Sequence, residues 1–267
     1  MKIALIGCGS IGRVIARNIT GGSVKADLRY VYDMDAKKAA EFARKFRTEY
    51  RDFDEILKQE LDLVLEAASQ EAVRTLIPKA LKAGKNVMIM STGALADEHL
   101  LQEIRGLAEK NNLKVYLPSG AIAGLDGIKS ARDEIERVTI KTTKPPESLE
   151  GAPFFEKHPM DLKEIKKPTV IYEGTAEEAV KLFPSNVNVA ASLSLAGIGP
   201  KKTRVQIVAD PDAKSNVHEI TAEGRFGVLK IKAENVPSPD NPKTSYLAAL
   251  SAVATLKKIS EPIQVGT

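Results

Sequence analysis

The chain has 267 residues, of which 43% are hydrophobic and 28% are charged, and its formal net charge is +4. This length and composition exclude a disordered or fibrous chain and fit one large or two ordinary globular domains. Basic residues are interspersed with acidic ones, no apolar run reaches the ~18 residues of a membrane span, and the single cysteine excludes an internal disulfide. We therefore expect a cytoplasmic protein that binds neither nucleic acid nor membrane.

Strands and helices alternate regularly over residues 1–120. Some strands are continuous apolar runs, such as Leu63–Leu65 and Val87–Met90, as expected when helices cover both faces of a parallel sheet. The predicted strands are Lys2–Ile6, Leu28–Tyr32, Leu61–Ala67, Asn86–Met90 and Lys114–Leu117. The predicted helices are Ser10–Ile19, Ala36–Phe46, Phe53–Lys58, Gln70–Ala83 and Asp97–Lys110.

The pattern changes after about residue 130, where alternating strands replace the strand–helix repeat. The segment Lys144–Lys167 is rich in proline and charge, and we interpret it as a long loop or insertion. Thr175 and Glu178 form a capping-box pattern at the start of a helix. The predicted strands are Arg137–Thr143, Thr169–Glu173, Thr203–Asp210, Val217–Glu223 and Val228–Glu234, and further helices are predicted up to Phe183, over Asn186–Leu195 and over Thr244–Ile259.

The segment between the first strand and the first helix is Gly7-Cys8-Gly9-Ser10-Ile11-Gly12, and Asp33 ends the second strand. A G-x-G-x-x-G pattern alone is a weak signal, but this strand–turn–helix context with a later acid indicates dinucleotide binding. The alternative is a glycine-rich turn without a ligand. The helix start offers N–H groups to phosphates, and the acid accepts hydrogen bonds from ribose. The predicted cofactor-binding residues here are Gly7, Gly9, Ser10, Ile11, Gly12 and Asp33.

Small residues follow three of the predicted strands, at Ala67-Ala68-Ser69, Ser91-Thr92-Gly93 and Ser119-Gly120-Ala121. Strand ends of one parallel sheet meet at one edge, where small side chains leave room for a cofactor. Any strand-to-helix turn favours such residues, which is the alternative explanation. From this pattern we add Ala68, Ser69, Ser91 and Thr92 to the predicted cofactor-binding residues.

The residues after Asp33 indicate which cofactor is preferred. Met34-Asp35-Ala36 follow it, and the next basic residue is Lys37. A second acid without a close guanidinium leaves nothing evident to hold a 2′-phosphate, so NAD is the predicted cofactor, with some use of NADP left open.

The chain has three histidines, and their surroundings differ. His99 and His158 fall in polar segments and are predicted to be surface residues. His218 shares one face of its strand with the apolar Ile220 and Ala222. Two interpretations stay open: a satisfied core histidine, or a proton acceptor at a catalytic centre. The histidines and Cys8 lack metal-ligand spacing, so no metal site is predicted.

Together these features predict a Rossmann-type, doubly wound α/β domain followed by a smaller α+β domain with an antiparallel or mixed sheet. The predicted dinucleotide-binding domain spans residues 1–122, and the C-terminal segment 243–267 returns to it. The substrate-binding, catalytic and dimerisation domain spans residues 123–242.

Six separated motifs, in this order, resemble the L-aspartate dehydrogenase family, and the resemblance covers nearly the whole chain. They are Glu66-Ala67-Ala68-Ser69-Gln70, Ser91-Thr92-Gly93-Ala94, Ser119-Gly120-Ala121-Ile122, Asn186-Val187-Asn188-Val189-Ala190-Ala191, Asn216-Val217-His218-Glu219-Ile220 and Asn241-Pro242-Lys243-Thr244-Ser245-Tyr246. The resemblance implies NAD(P)-dependent oxidative deamination of L-aspartate to iminoaspartate, a precursor for quinolinate and NAD synthesis, by a homodimer. It implies that His218 is catalytic and that Ala121 and Asn188 contact the cofactor.

A dicarboxylate substrate needs cationic or hydrogen-bonding groups. Lys243 is the sequence-based choice, with Thr244 and Ser245 as helpers at the predicted start of the last helix, although a solvated surface lysine is an equal alternative. Homoserine dehydrogenase-like and dihydrodipicolinate reductase-like enzymes are the nearest rival functions, since fold analogy alone does not separate them. A non-catalytic NAD(H)-sensing protein is the alternative from another functional class.

Overall fold

The structure is a computed structural model of the chain. It describes residues 1–184, 187–239, 241–263 and 265–266, without the side chains of residues 242 and 243. The chain divides into two compact units, Met1–Pro118 with Ala249–Gln264, and Ser119–Ala248 with Val265–Thr267. Across these described ranges, no helix is both long and apolar enough to span a bilayer.

Unit 1 contains a six-stranded sheet with strand order β3-β2-β1-β4-β5-β6, in which every pairing is parallel. This is the order of a doubly wound dinucleotide-binding fold, and it confirms the predicted α/β class. The elements are β1 (Lys2–Ile6), α1 (Ser10–Thr20), β2 (Asp27–Tyr32), α2 (Ala36–Phe46), β3 (Glu49–Tyr50), α3 (Phe53–Leu57), β4 (Leu63–Glu66), α4 (Gln70–Lys82), β5 (Asn86–Ile89), α5 (Glu98–Lys110) and β6 (Val115–Tyr116).

The core of unit 1 lies between these strands and their helices. Ile3 and Leu5 of β1 and Ile15 of α1 are fully buried. Each such side chain stabilises the fold by about 1.5–3 kcal/mol relative to its exposed state. Residues from the C-terminal part of the chain, Ala252 and Leu256, are buried in the same cluster, which is why residues 249–264 belong to this unit.

Unit 2 contains a five-stranded mixed sheet with strand order β11-β10-β7-β9-β8. The pair β7–β9 is parallel and the other three neighbouring pairs are antiparallel. The elements are α6 (Leu125–Ser130), β7 (Ile135–Lys144), α7 (Phe154–Lys157), β8 (Thr169–Thr175), α8 (Ala176–Leu182), α9 (Asn188–Ala196), β9 (Arg204–Ala209), β10 (Val217–Gly224), β11 (Gly227–Glu234), β12 (Pro237–Ser238), β13 (Asn241–Ser245) and α10 (Tyr246–Ser260), the last of which continues into unit 1.

One face of this sheet is buried and the other is accessible. Along β10, His218, Ile220 and Ala222 are buried, whereas the residues between them are half-exposed, so the predicted alternation is confirmed. Helices cover the buried face: a Cβ added at Gly197, after α9, would lie 3.9 Å from the side chain of Val138 in β7.

Two features of unit 2 differ from the sequence-based expectation. The segment 144–167, interpreted as a long loop or insertion, contains α7 and two short 3-10 helices, Pro146–Leu149 and Leu162–Glu164. Its Phe154 is buried and stacks on Phe183, with ring centroids 5.1 Å apart, so aromatic packing organises a segment whose charge suggested solvent.

The second difference concerns the start of the last helix, which was predicted at Thr244. Thr244 and Ser245 belong to strand β13, which pairs with β12, and α10 begins only at Tyr246. The backbone N–H of Tyr246 donates to the carbonyl of Val236, so the preceding residues are held extended. Ser245 therefore directly precedes α10, Thr244 lies one residue further back within β13, and the predicted side chain of Lys243 lies outside the described part of the chain.

Candidate active site

A cavity of about 350 Å³ lies in unit 1 beyond the carboxyl ends of β1, β2 and β4. Ligands of doubly wound sheets bind at this edge. Five predicted cofactor-binding residues line it: Gly7, Gly9, Asp33, Ala68 and Ser69. Further lining residues that the sequence patterns did not single out are Tyr32, Met34, Lys38, Glu71, Ala72, Thr75 and Leu76.

The three glycines of the turn differ in the space that a side chain would have at each position. Gly7 has φ +99°, and an added Cβ would lie 2.5 Å from the carbonyl oxygen of Ala67. At Gly12 the added atom would collide with the carbonyl oxygen of Gly7, so α1 packs closely on the turn. At Gly9 it would meet nothing within 4 Å, because this glycine borders the cavity. The open backbone at Gly9 and the adjacent start of α1 fit the pyrophosphate of a dinucleotide.

Asp33 accepts three hydrogen bonds at the cavity wall. Its carboxylate receives the backbone N–H of Cys8 at 2.8 Å, the ammonium of Lys38 at 2.9 Å and the backbone N–H of Asp35 at 3.1 Å. Burial acts to raise the pKa of this carboxyl, but the hydrogen bonds outweigh it, so the pKa of Asp33 is lowered. The carboxylate is ionised at neutral pH. From the sequence we expected no basic residue close enough to Asp33 to hold a 2′-phosphate, whereas the structure places Lys38 at the cavity.

Glu66, at the end of β4, is fully buried and organises the ends of two strands. Its carboxylate accepts the backbone N–H groups of Ala68 at 2.7 Å and Ser69 at 3.0 Å, and those of Met90 at 3.2 Å and Ser91 at 3.0 Å. The Ser91 hydroxyl also donates to it at 2.8 Å. Burial raises the pKa of Glu66 despite these donors. Apolar flanking residues hid this role in the sequence.

The remaining predicted residues of unit 1 lie outside the cavity lining. Ser10 and Ile11 form the first turn of α1, and Gly12 packs beneath it. Ser91 and Thr92 are buried after β5, where a 3-10 helix, Thr92–Ala96, begins.

Burial raises the pKa of the Cys8 thiol to about 12, so it is not a thiolate nucleophile at neutral pH.

In unit 2, His218 lies on the buried face of β10 and is 3% exposed. Its Nδ1 shares a hydrogen bond of 3.0 Å with the hydroxyl of Thr142, its antiparallel partner on β7. Burial, followed by the positive charge of Lys144, lowers the pKa of His218 to about 3. The imidazole is therefore neutral at neutral pH, and the same lowered pKa makes it a weak proton acceptor while burial and the charge of Lys144 act on it. His99 and His158 are exposed, as predicted.

Lys144 ends β7 on the same face as Thr142 and is 5% exposed. Burial lowers the pKa of its ammonium to about 8. A cation and a neutral imidazole thus occupy one buried sheet face. Sequence reasoning missed Lys144, because it had placed this residue in the loop; the alternation along β7 is the signal that could have identified it.

The predicted cofactor contacts of unit 2 lie in neighbouring segments. A Cβ added at Gly120, beside Ala121, would be 3.9 Å from Val189, which follows Asn188 at the start of α9. The side-chain amide of Asn235 donates to the carbonyl of Ala121 at 3.0 Å.

A further set of hydrogen bonds reaches β10. The backbone N–H of Asn235 donates to the carbonyl of Asn216, whose side chain donates to the hydroxyl of Ser245 at 3.3 Å. Hydrogen bonds through Asn235 therefore connect Asn216 and Ser245 to the turn at Ala121. Asn216 belongs to one of the motifs that carry the family resemblance, whereas Asn235 has no sequence signal that separates it from other polar residues.

Comparisons with known proteins agree with the resemblance seen in the sequence. A family model described as the C-terminal domain of aspartate dehydrogenase matches residues 126–259, and one described as the NAD binding domain of homoserine dehydrogenase matches residues 7–118. The chain is 53% identical to the L-aspartate dehydrogenase of Methanosarcina acetivorans and 44% identical to that of Methanocaldococcus jannaschii, with 100% of both chains covered in each case.

The crystal structure of the aspartate dehydrogenase of Thermotoga maritima matches with a TM-score of 0.76 at 30% identity, and the match covers 100% of this chain and 99% of that one. The likeness therefore includes both units, the glycine turn as well as the sheet that carries His218. From the full-length identities and the matched family model, the chain belongs to the L-aspartate dehydrogenase family of oxidoreductases.

Proposed function

We propose that this protein catalyses the NAD(P)-dependent oxidative deamination of L-aspartate to iminoaspartate, which water converts to oxaloacetate and ammonia. Family membership supports the reaction class, and one structural observation carries the mechanism: a buried, neutral histidine stands at the motif position that the family resemblance marks as catalytic. The homoserine dehydrogenase family matches the cofactor-binding region, whereas the family that matches unit 2 is that of aspartate dehydrogenase, which favours aspartate over the rivals.

In this proposal unit 1 holds the cofactor, which supplies a hydride acceptor. The backbone at Gly9 and the start of α1 receive the pyrophosphate, and Asp33 accepts hydrogen bonds from the adenosine ribose. Met34 is 90% exposed beside the cavity and offers an apolar surface to adenine. We retain NAD as the preferred cofactor, and the ammonium of Lys38 provides a partner for the 2′-phosphate of NADP.

His218 takes one proton from the substrate ammonium while the Cα–H electron pair leaves as hydride, so that a carbon–nitrogen double bond forms. The proton acceptor is Nε2. This role requires the tautomer that is protonated at Nδ1, in which the Nδ1–H donates a hydrogen bond to the hydroxyl of Thr142. The protein's contribution is orientation and proton transfer, since the hydride chemistry belongs to the cofactor.

The remaining predictions complete the proposal. Asn188 and Ala121 are retained as cofactor contacts, as are Ser69, Ser91 and Thr92. The protein acts as a cytoplasmic homodimer, and its product supplies quinolinate and NAD synthesis.

The decisive assay mixes the purified protein with NAD and L-aspartate at alkaline pH and follows NADH absorbance, with L-homoserine as the matched comparison substrate. We expect NADH formation with L-aspartate and none with L-homoserine. A signal with L-homoserine alone would overturn the proposal, and silence with both would favour the NAD(H)-sensing alternative.

A further inference from the structure

Three polar side chains interrupt the otherwise apolar face of the unit 2 sheet. Thr142 and Lys144 lie two residues apart on β7, and His218 faces Thr142 from β10. Among the residues that the structure describes, Lys144 is the only lysine or arginine that is buried. The one buried basic side chain therefore stands beside the histidine to which the proposed function assigns proton transfer.

Stability alone does not account for a lysine at this position. Burial of an ammonium group costs several kcal/mol, and apolar residues of similar volume often replace buried charges without loss of stability. The neighbours on the same face, Ile140 and Ile220, are the residue type that fold stability favours. Buried charged groups of this kind concentrate at functional sites, where their charge is used.

The substrate class of the proposed function needs a cation. A dicarboxylic amino acid carries two carboxylates, and a neutral imidazole balances neither of them. The Cα atoms of Thr142 and Lys144 are separated by about 7 Å along the strand, a distance that the long side chain of a lysine spans. An ammonium at Lys144 is thus able to hold one carboxylate while the amino group lies at the imidazole.

We propose that Lys144 binds a carboxylate of the dicarboxylic amino acid substrate beside His218, an inference that rests on the proposed function. A carboxylate at Lys144 has a second effect on the site. It neutralises the charge that acts against protonation of the imidazole, so substrate binding itself makes His218 a better proton acceptor.

The test uses Lys144→Met, which keeps the unbranched shape and most of the length of the side chain and removes its charge. Its matched control is Lys141→Met on the same strand, where the side chain lies on the opposite face and pairs with Glu219 at 3.0 Å. The measurements are KM and kcat for L-aspartate, the inhibition constant of succinate and the affinity for NADH. Lys243→Met, the choice made from the sequence, is measured in parallel.

We expect Lys144→Met to raise KM and the succinate inhibition constant by about 10- to 100-fold, because a charge-assisted hydrogen bond is lost, with a smaller change in kcat and unchanged NADH affinity. Lys141→Met should match the wild type. Unchanged KM and succinate inhibition in Lys144→Met would overturn the inference, as would a comparable rise produced by Lys243→Met instead. A merely structural role would weaken NADH binding and lower kcat together, and that result also overturns it.

Succinate binding separates this inference from the proposed function, because it needs no turnover. The shift in melting temperature that succinate causes is measured with NADH present, for the wild type and Lys144→Met. A shift that depends on Lys144 in a protein that does not oxidise L-aspartate would sustain the carboxylate site and reject the reaction. If the wild type oxidises L-aspartate and Lys144→Met binds succinate as tightly as the wild type does, the proposed reaction is sustained and the carboxylate site at Lys144 is rejected.

Discussion

The two units build their functional sites from different parts of the chain. In unit 1 the proposed cofactor cavity begins at the backbone of Gly7 and Gly9 and continues along residues that follow the ends of β1, β2 and β4. In unit 2 the site consists of side chains that meet only in the folded sheet; His218 and Thr142 are 76 residues apart in sequence. A backbone site requires local geometry and leaves a motif, whereas a side-chain site requires only that two strands pair in register.

The largest expected effect tests the unit 2 site. His218→Gln should lower kcat by about 10²- to 10⁴-fold, because a general acid–base group is removed. NADH affinity should stay unchanged, since His218 is not among the residues proposed to bind the cofactor. Steady-state kinetics with L-aspartate and NADH titration measure the two quantities. His99→Gln, which alters an exposed histidine on α5, serves as the control, and a loss of kcat below about tenfold in His218→Gln would remove His218 from proton transfer.

The second prediction asks whether the backbone site of unit 1 depends on one side chain. In Glu66→Gln an amide N–H₂ replaces an acceptor oxygen and faces N–H donors, so the free energy of unfolding should fall by about 2–3 kcal/mol. Urea denaturation measures the change, and NADH affinity should fall with it. The exposed Glu55→Gln is the control. A stability change within about 0.5 kcal/mol would show that the strand ends hold their geometry without the carboxylate.

The third prediction concerns acid stability. The pKa of His218 is about 3 in the folded protein, below the ordinary value of 6.5, so the unfolded chain binds more protons between these values. Stability is fully present above pH 6.5 and is lost as the pH falls, with a contribution of about 1.4 kcal/mol per pH unit from this residue.

The difference in unfolding free energy between wild type and His218→Gln should therefore change by about 2 kcal/mol between pH 6.5 and pH 5, in favour of the variant at low pH. Urea denaturation at the two pH values measures it. His99→Gln, which removes an exposed imidazole, is measured in parallel as the control. Equal pH dependence of wild type and His218→Gln would mean that the imidazole titrates normally in the folded state.

The smallest expected effect separates the two cofactors. Asp33→Ala should weaken NAD binding by about tenfold and NADP binding less, because lost ribose hydrogen bonds are partly compensated when Lys38 is released toward a 2′-phosphate. Lys38→Met should weaken NADP more than NAD. Fluorescence titration of the reduced cofactors measures both. Equal losses for the two cofactors in Asp33→Ala would remove Asp33 from ribose recognition.

Much of unit 1 could be predicted from the sequence, because its signals are local. The strand Lys2–Ile6 and the helix Ala36–Phe46 have the predicted bounds, and the glycine turn lies where the motif placed it. The short strand β3 was missed, since two residues carry no period. The cavity also includes Lys38, which was not predicted because α2 begins between Asp33 and this residue.

In unit 2 the face of His218 could be predicted but its neighbours could not. The pairing of β7 with β10 is non-local, so no sequence pattern joins Lys144 or Thr142 to the histidine. Lys144 is the first residue of a charged segment, so we expected it to be exposed to solvent, whereas strand β7 continues to this residue. The last helix was predicted to begin at Thr244, whereas α10 begins at Tyr246, because the residues before it form strand β13.

The pairing of β10 on both sides has a consequence for insertions and deletions. From Val217 to Ala222 the strand is in unbroken register with β7 and with β11, and the irregularity lies beyond, at Glu223/Gly224. A single residue gained or lost within this stretch would reverse the facing of the residues on one side of it, and a change just before His218 would turn His218 outward and Glu219 inward. Length variation in the family should therefore concentrate outside these strands, as in the helical segment that follows Lys144, and a library of single-codon deletions should lose function throughout β10 while tolerating many between residues 150 and 165.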